Sequence, residues 1–433
     1  MLVPTEEETR ILEVLRSGWA SKSVPAPWLR EISVLRADVA RSGVVADLML
    51  SGVTMEKVSD GVDQLRLFFD VEDDHQLVVL PGGRATRVRL EIRTRRVTEE
   101  MDMLWHPGRK GIGVDSVTGQ VVEIPFLSQI QFSGAKGSGK SWAMRPSMAS
   151  LALNPDFEVL YLDPKMVEGK RWQGLVHTYF PGDFPDILEE CAEDLSRRAD
   201  LMSKAGATVW RPEFGPYRIV VIDEGRELLA ECRRADRLRA QLLRKAGFAS
   251  DGDLAPVDKG GALDNLIKIS SMGRAWGVFL WWATQYPIVS GNNPGVDTNI
   301  DANTDYRFSL RVSKRKHSEV ALGDDADYGP HRLTADDRNR GLGYIGGHGP
   351  SLIQTWTMTD EMLGLLAHPD QGRGKFPRDV ALRTLGSQPD SVWTPELLAS
   401  HTGCGTNQAM RFLRSFSSEG LVIADGDTFR LAA

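Results

Sequence analysis

The sequence predicts a mixed α/β chain built on a parallel β-sheet, with a small α+β module before the sheet and a separate helical domain after it. Three observations lead there. Between about residues 111 and 370, apolar strand-like runs alternate with helix-compatible runs, as a parallel sheet with crossover helices requires. One of those apolar runs, IPFLSQIQF, leads into the glycine-rich stretch GAKGSGKS and then into the helix-compatible WAMRPSMASLAL. From about residue 376 the pattern changes to three short helical segments and two short strands.

Composition narrows the setting. The 433 residues suffice for roughly two to four domains with at least one sizeable core. A content of 41% hydrophobic and 26% charged residues is that of an ordinary globular chain. Cys191, Cys232 and Cys404 are far apart and form no CxxC pair, which fits a reducing compartment and argues against a disulfide framework or zinc ribbon. No HExxH is present, and His401 with Cys404 lacks a second ligand pair, so no metal other than Mg²⁺ is expected. No apolar run reaches the length of a membrane span, and the N-terminus lacks a signal-peptide core, which together predict a cytoplasmic chain without direct membrane insertion. The net charge of −7 does not advertise a nucleic-acid binder, although one helix or channel can be basic on an acidic protein.

In chain order, residues 1–35 read as helical. TEEETRILEVLR offers Thr5 as N-cap and Glu8 three positions on, a capping box, with Ile11, Leu12 and Leu15 on one face. Residues 36–110 read as a small α+β module. LRADVARSGVVADLML reads as helical. DQLRLFF and RVRLEIRTR read as strands, with Leu65, Leu67 and Phe69, then Val88, Leu90 and Ile92, on single faces. LPGGR supplies a turn between them. Within 111–370 the buried-strand candidates are IQFSG, EVLYLD, YRIVVID, GVFLWWAT and YRFSLRV. AHPDQGRGKFP then reads as a linker.

GAKGSGKS fits G-x-x-x-x-G-K-[ST] without a mismatch, in the strand–loop–helix context the motif needs. Gly134, Gly137 and Gly139 let the backbone curl so that successive N–H groups, with the helix N-terminus behind them, meet phosphate oxygens. The candidate ATP-binding set is therefore Gly134, Ala135, Lys136, Gly137, Ser138, Gly139, Lys140 and Ser141. Lys140 supplies charge to the β- and γ-phosphates and the Ser141 hydroxyl ligates Mg²⁺. In YRIVVIDEG an apolar strand ends in Asp223 and Glu224. Asp223 would orient Mg²⁺ and Glu224 would polarise the attacking water as general base, which separates an ATPase from a mere nucleotide binder. In GRAWGVFLWWATQYP, Gln285 at the end of an apolar strand is placed to sense the γ-phosphate or that water.

The order GAKGSGKS, LDPKMVE, VVIDEG, GRAWG…ATQYP and DANTDYRFSLRVSKRKHSEVALGD, across about 110–345, resembles the motor of the FtsK/SpoIIIE DNA translocases, including TraB-type plasmid-transfer motors. That family typically reads D-P-K-x-x-E at the second element, matched by Asp163, Pro164, Lys165 and Glu168. The resemblance implies a RecA-like P-loop ATPase working as a homo-hexameric ring on double-stranded DNA, with ATP and Mg²⁺. The family usually has arginine after the sensor glutamine, where this chain has Tyr286, so the candidates for an arginine donated across a subunit boundary are Arg274 and Arg307. About 20 extra residues separate Glu224 from Gly273 relative to the usual spacing. They include the basic run Arg233, Arg234, Arg237, Arg239, Arg244 and Lys245, which reads either as a DNA-facing element in a central pore or as a solvated helix face. The transmembrane segment that anchors full-length FtsK is missing from this sequence, and a membrane or recombination partner is left unidentified.

The last segment, 376–433, divides into PRDVALRTLGS, TPELLASHTG opened by Thr394, GTNQAMRFLRSFSSEG, and two strands in LVIADGDTFRLA. Three helices and a two-stranded wing describe a winged helix-turn-helix. Its third helix would present Asn407, Gln408, Arg411 and Arg414 to base edges and phosphates. The resemblance implies a reader of short DNA repeats, and winged helices also dock proteins. The expected function is an ATP-driven double-stranded DNA translocase for plasmid or mobile-element transfer (conjugation) or chromosome partition. Two alternatives come from other classes: a secretion-type ATPase acting on protein, and a DNA-binding regulator that uses ATP as an assembly switch.

Overall fold

The computed structural model describes residues 2–17, 26–72, 75–246, 260–367, 378–388, 391–402, 406–418, 421–426 and 428–431. The chain divides into two units, one of Met1–Asp102, Val114–Gln120 and Pro350–Gln354, the other of Met103–Gly113, Val121–Gly349 and Thr355–Ala433.

The first unit opens with helix α1, Glu6–Ser17, and the expected capping box is formed: the Thr5 N–H donates to Glu8 Oε2 at 2.8 Å and the Glu8 N–H to Thr5 Oγ1 at 3.2 Å. Ile11, Leu12 and Leu15 are buried against the strands, so this helix shares one core with the module that follows rather than forming a segment of its own. Glu8 is fully buried, accepting from Arg95 Nε at 2.7 Å and Thr94 Oγ1 at 2.6 Å. Burial alone would push its carboxyl up, but the bonds from Arg95, Thr94 and Thr5 outweigh it and hold the carboxyl below the usual range. Glu8→Gln keeps the shape and loses the charge, and should cost about 1–3 kcal/mol in denaturant unfolding at neutral pH. Because the native carboxyl titrates lower than the unfolded one, the difference between wild type and variant should shrink as pH falls below the ordinary carboxylate range.

Two readings in this unit are corrected. LRADVARSGVVADLML is not helical but a hairpin of β1, Ile32–Ala40, and β2, Gly43–Leu50, paired antiparallel from Ile32↔Leu50 to Ala40↔Gly43. Val44, Ala46, Leu48 and Leu50 alternate into the core, a period of two that a helix could not satisfy. Gly43 turns the hairpin at φ +130°, where a Cβ would sit 2.3 Å from the Ile92 carbonyl oxygen. DQLRLFF, conversely, lies in a helix, Val62–Phe69. Val62, Leu65, Phe68 and Phe69 are buried at helical spacing while Leu67 is 79% exposed, the reverse of what one strand face would give. The strand lies further on, as β3, Gln76–Pro81, and β4, Arg87–Arg93, follows the PGGR turn as expected with Val88, Leu90 and Ile92 buried. The antiparallel sheet runs β1-β2-β4-β3.

In the second unit all five buried-strand candidates are strands. In chain order they and their neighbours are β5, Ile130–Ser133; β6, Phe157–Leu162; β7, His177–Tyr179; β8, Tyr217–Ile222; β9, Val278–Thr284; β10, Tyr306–Leu310; and β11, Leu342–Ile345. They lie in the order β11-β10-β5-β9-β8-β6-β7, parallel except where β11 meets β10. Their near-continuous burial follows from helices packed on the sheet, including Phe184–Ala205 and Ala262–Met272. The basic run lies in helix Gly225–Lys245, whose first half buries Leu228, Leu229 and Cys232 and whose second half leaves Leu238 and Leu242 exposed. The rest of the extra segment, 247–259, lies outside the described residues.

The expected linker falls from residue 368 on outside the described residues. Beyond it stand helices Arg378–Ser387, Pro395–Thr402 and Thr406–Ser418 and an antiparallel pair, Val422–Asp425 with Thr428–Leu431. Thr394 caps the second helix, its Oγ1 accepting from the Leu397 N–H at 3.2 Å. These elements enclose a core of their own around Leu385, Trp393, Leu413, Phe416 and Phe429. No helix among the described residues is long and apolar enough to cross a membrane.

Candidate nucleotide-hydrolysis site

The site forms where β5, β6, β8 and β9 end, at the carboxyl edge of the parallel sheet, the usual place for a ligand in such sheets. After β5 the chain curls from Gly134 to Gly139 and enters helix Lys140–Ala152. The start of the curl is pinned: the Gly134 N–H donates to Thr284 O at 3.1 Å and the Ala135 N–H to Arg311 O at 2.7 Å. Arg311 also donates to Lys136 O at 2.9 Å, and Gly341 donates its N–H to Ser138 O at 3.0 Å. Gly137 and Gly139 take φ of +78° and +90°, conformations that favour glycine. Ser138 Oγ is buried without a hydrogen-bond partner among the described residues. An orphaned, buried hydroxyl in a glycine-rich loop at a helix N-terminus fits a phosphate chain.

Lys140 is 5% exposed and its ammonium lies on Asp223, contacting both the main-chain oxygen and, at 3.1 Å, Oδ1. The Ser141 hydroxyl donates to the same Oδ1 at 2.9 Å. Burial pushes the Asp223 carboxyl up, but the Lys140 charge and the bonds from Lys140 and Ser141 outweigh it, leaving the group below the usual range. A hydroxyl and an ionised carboxylate side by side are the hard oxygen donors that Mg²⁺ takes. Burial and the nearby negative charges of Asp223, Glu168 and Asp163 push the Tyr161 phenol well above its usual value.

Glu224 is 2% exposed, and both of its oxygens are held. Lys165 Nζ lies 2.9 Å from Oε2, while the Gln285 N–H and Thr284 Oγ1 donate to Oε1 at 3.2 and 3.3 Å. The sequence-predicted Lys140, Ser141, Asp223, Glu224 and Gln285 thus converge from three strand ends. Lys165 and Thr284 were missed as site residues, although both stand in quoted motifs directly after or at the end of apolar strands, which is the signal that could have found them.

The two arginine candidates part ways. Arg307, on β10, is committed within its own chain, donating to Asp301 Oδ1 at 2.7 Å, Asp301 O at 2.8 Å and Val320 O at 2.8 Å. Arg274 is largely exposed and holds one surface pair, to Asp305 at 2.6 Å. Tyr286 carries the guanidinium of Arg226, 4.6 Å from its ring centroid, an arginine that sequence reasoning did not single out. In the C-terminal domain Arg411 and Arg414 lie exposed on helix Thr406–Ser418. Asn407 and Gln408 stand in its first turn, and their side chains lie outside the described residues.

A glycine-rich loop between strand and helix, with a paired lysine and a strand-end carboxylate pair, defines a P-loop ATPase. Residues 109–289 match the family model described as FtsK/SpoIIIE, so the chain carries an FtsK/SpoIIIE-family domain. It is 29% identical over 323 residues to protein Tra of Streptomyces lividans, covering 74% of this chain and 50% of that protein. It is 24% identical over 288 residues to the DNA translocase SftA of Bacillus subtilis (strain 168), covering 62% and 29%. The chain therefore spans half or less of the length of these relatives. Among solved structures, the pCW3 conjugation coupling protein TcpA, a monomer form with ATPgS, is similar at a TM-score of 0.46 and 15% identity, covering 82% of this chain and 95% of that one.

Proposed function

We propose that the chain is an ATP-driven double-stranded DNA translocase, with a RecA-like motor that works as a homo-hexameric ring in plasmid or mobile-element transfer. The observation that carries this reading is the convergence of Lys140, Ser141, Asp223, Glu224 and Gln285 at one sheet edge inside an FtsK/SpoIIIE-family domain. The loop's N–H groups and Lys140 bind the phosphates of ATP. Mg²⁺, held by Ser141 and Asp223, would neutralise charge on those phosphates. Glu224 takes the proton of the attacking water, and Gln285, whose main chain is tied to Glu224, reports the state of the site to its strand. Arg274, exposed and weakly paired, is the arginine offered to a neighbouring subunit.

The C-terminal three helices and hairpin act as a winged helix that reads DNA sequence through Asn407, Gln408, Arg411 and Arg414 on the third helix. On a preferred sequence, Arg411→Ala should cost about 1–3 kcal/mol if the side chain reads a base, and much less on random duplex. Competition binding against a random duplex pool measures both. If the full-length chain selects no sequence, protein docking becomes the better account of this domain.

The function itself is tested by ATPase activity with and without linear duplex DNA. A translocase should be stimulated several-fold or more by duplex, whereas a protein-secreting ATPase should be indifferent to it. A DNA-binding regulator that uses ATP only as a switch should show no sustained turnover.

A further inference from the structure

The two acidic residues of the site have different cations. Lys140 lies on Asp223, whereas Glu224 is met by Lys165 from the loop after β6. That loop is built to aim the side chain. Asp163, wholly buried, accepts the N–H groups of Lys165 at 2.9 Å and of Val167 and Gly169 at 2.8 Å, and gives its own N–H to Tyr179 O at 3.0 Å. Pro164 restricts the backbone between them. The far end is fixed by Glu168, which accepts from the buried Arg145 Nη2 at 2.9 Å. Met166, next to Lys165, holds a φ of +56°, a conformation non-glycine residues rarely keep unless the surroundings enforce it, and one that gathers at functional sites. A lysine stem is otherwise flexible, so a loop fixed on both sides of it determines where its ammonium goes.

We infer that Lys165 is a positioning residue for hydrolysis: its ammonium, with the Gln285 N–H and Thr284 hydroxyl on the other oxygen, holds the Glu224 carboxylate in place to take a proton. Lys165 Nζ meets Oε2 of the buried Glu224 at 2.9 Å, so Lys165 acts through Glu224 and not on ATP. The inference rests on the reading of Glu224 as general base.

The test is a cycle of Lys165→Met, Glu224→Gln and the double variant, with Lys165→Arg as the conservative rescue. Each is read by kcat and KM for ATP and by equilibrium binding of a fluorescent ATP analogue. Lys165→Met should lower kcat by about 10–100-fold while KM and analogue affinity stay within about threefold, which also shows that the site is folded. Lys165→Arg should recover much of the loss. Added to Glu224→Gln, Lys165→Met should cost no more than about twofold, because residues that act as one unit are not additive. Wild-type kcat in Lys165→Met, or losses that multiply in the double variant, would overturn the role. An active Glu224→Gln single variant removes instead the general-base reading beneath it, so the two failures are distinguishable.

Discussion

Glu224→Gln is expected to bind ATP as the wild type does and to lose turnover by about 10²–10⁴. The substitution is nearly isosteric, and the one amide oxygen can replace either Oε1, accepting from the Gln285 N–H, or Oε2, accepting from Lys165, though not both. What the amide cannot do is take a proton. Lys140→Ala should behave in the opposite sense, losing binding because it removes the cation that stands beside the phosphate cradle and on Asp223. Binding of a fluorescent ATP analogue and phosphate release, measured on the same preparations, separate the two. Equal phosphate-release rates in wild type and Glu224→Gln would sink the assignment of the base.

A second large effect should come from Arg274. A guanidinium supplied across a subunit boundary is worth about 10³–10⁵ in rate, so Arg274→Ala should approach that loss while still binding ATP. Two features favour it over Arg307. The Arg274 side chain is 64% exposed, and an exposed ion pair such as the one with Asp305 contributes only about 0–1 kcal/mol, so little holds it at home. Arg307 spends its donors on Asp301 and the Val320 carbonyl, so Arg307→Ala should lower thermal stability more than it lowers kcat per folded chain. Wild-type specific activity should rise with protein concentration, and Arg274→Ala should flatten that rise. If Arg274→Ala turns over as fast as wild type, the trans arginine is another residue, and Arg226 against Tyr286 is the next to substitute.

Much of the motor was legible because its strands are buried on both faces. Runs such as VVID and FLWWAT have no reading as an exposed amphipathic helix, and each ended in the polar residues that now meet at the sheet edge. The capping box of α1 and the N-cap at Thr394 were legible for a local reason: partner and donor lie within one turn of chain. The N-terminal module was misread where local pattern is ambiguous. VARSGVVADLML carries apolar residues that match either period, and the pairing of β2 with both β1 and β4 decides for strands. DQLRLFF alternates like a strand, yet its helix follows from burying Leu65 with Phe68 and Phe69. The Lys165–Glu224 contact joins residues 59 positions apart, so no window of sequence contains it, whereas Arg307 and Asp301 lie six positions apart and their bond depends on how the intervening chain turns back.

Under the proposed function, hydrolysis at this site moves the chain along duplex DNA. Displacement of a labelled third strand from a triplex placed at one end of a long duplex measures this directly. Wild-type protein with Mg²⁺ and ATP should strip the third strand after a lag that lengthens with the duplex tract to be crossed, and Glu224→Gln should leave it bound. Brisk DNA-stimulated ATPase with the triplex intact at every tract length would contradict translocation.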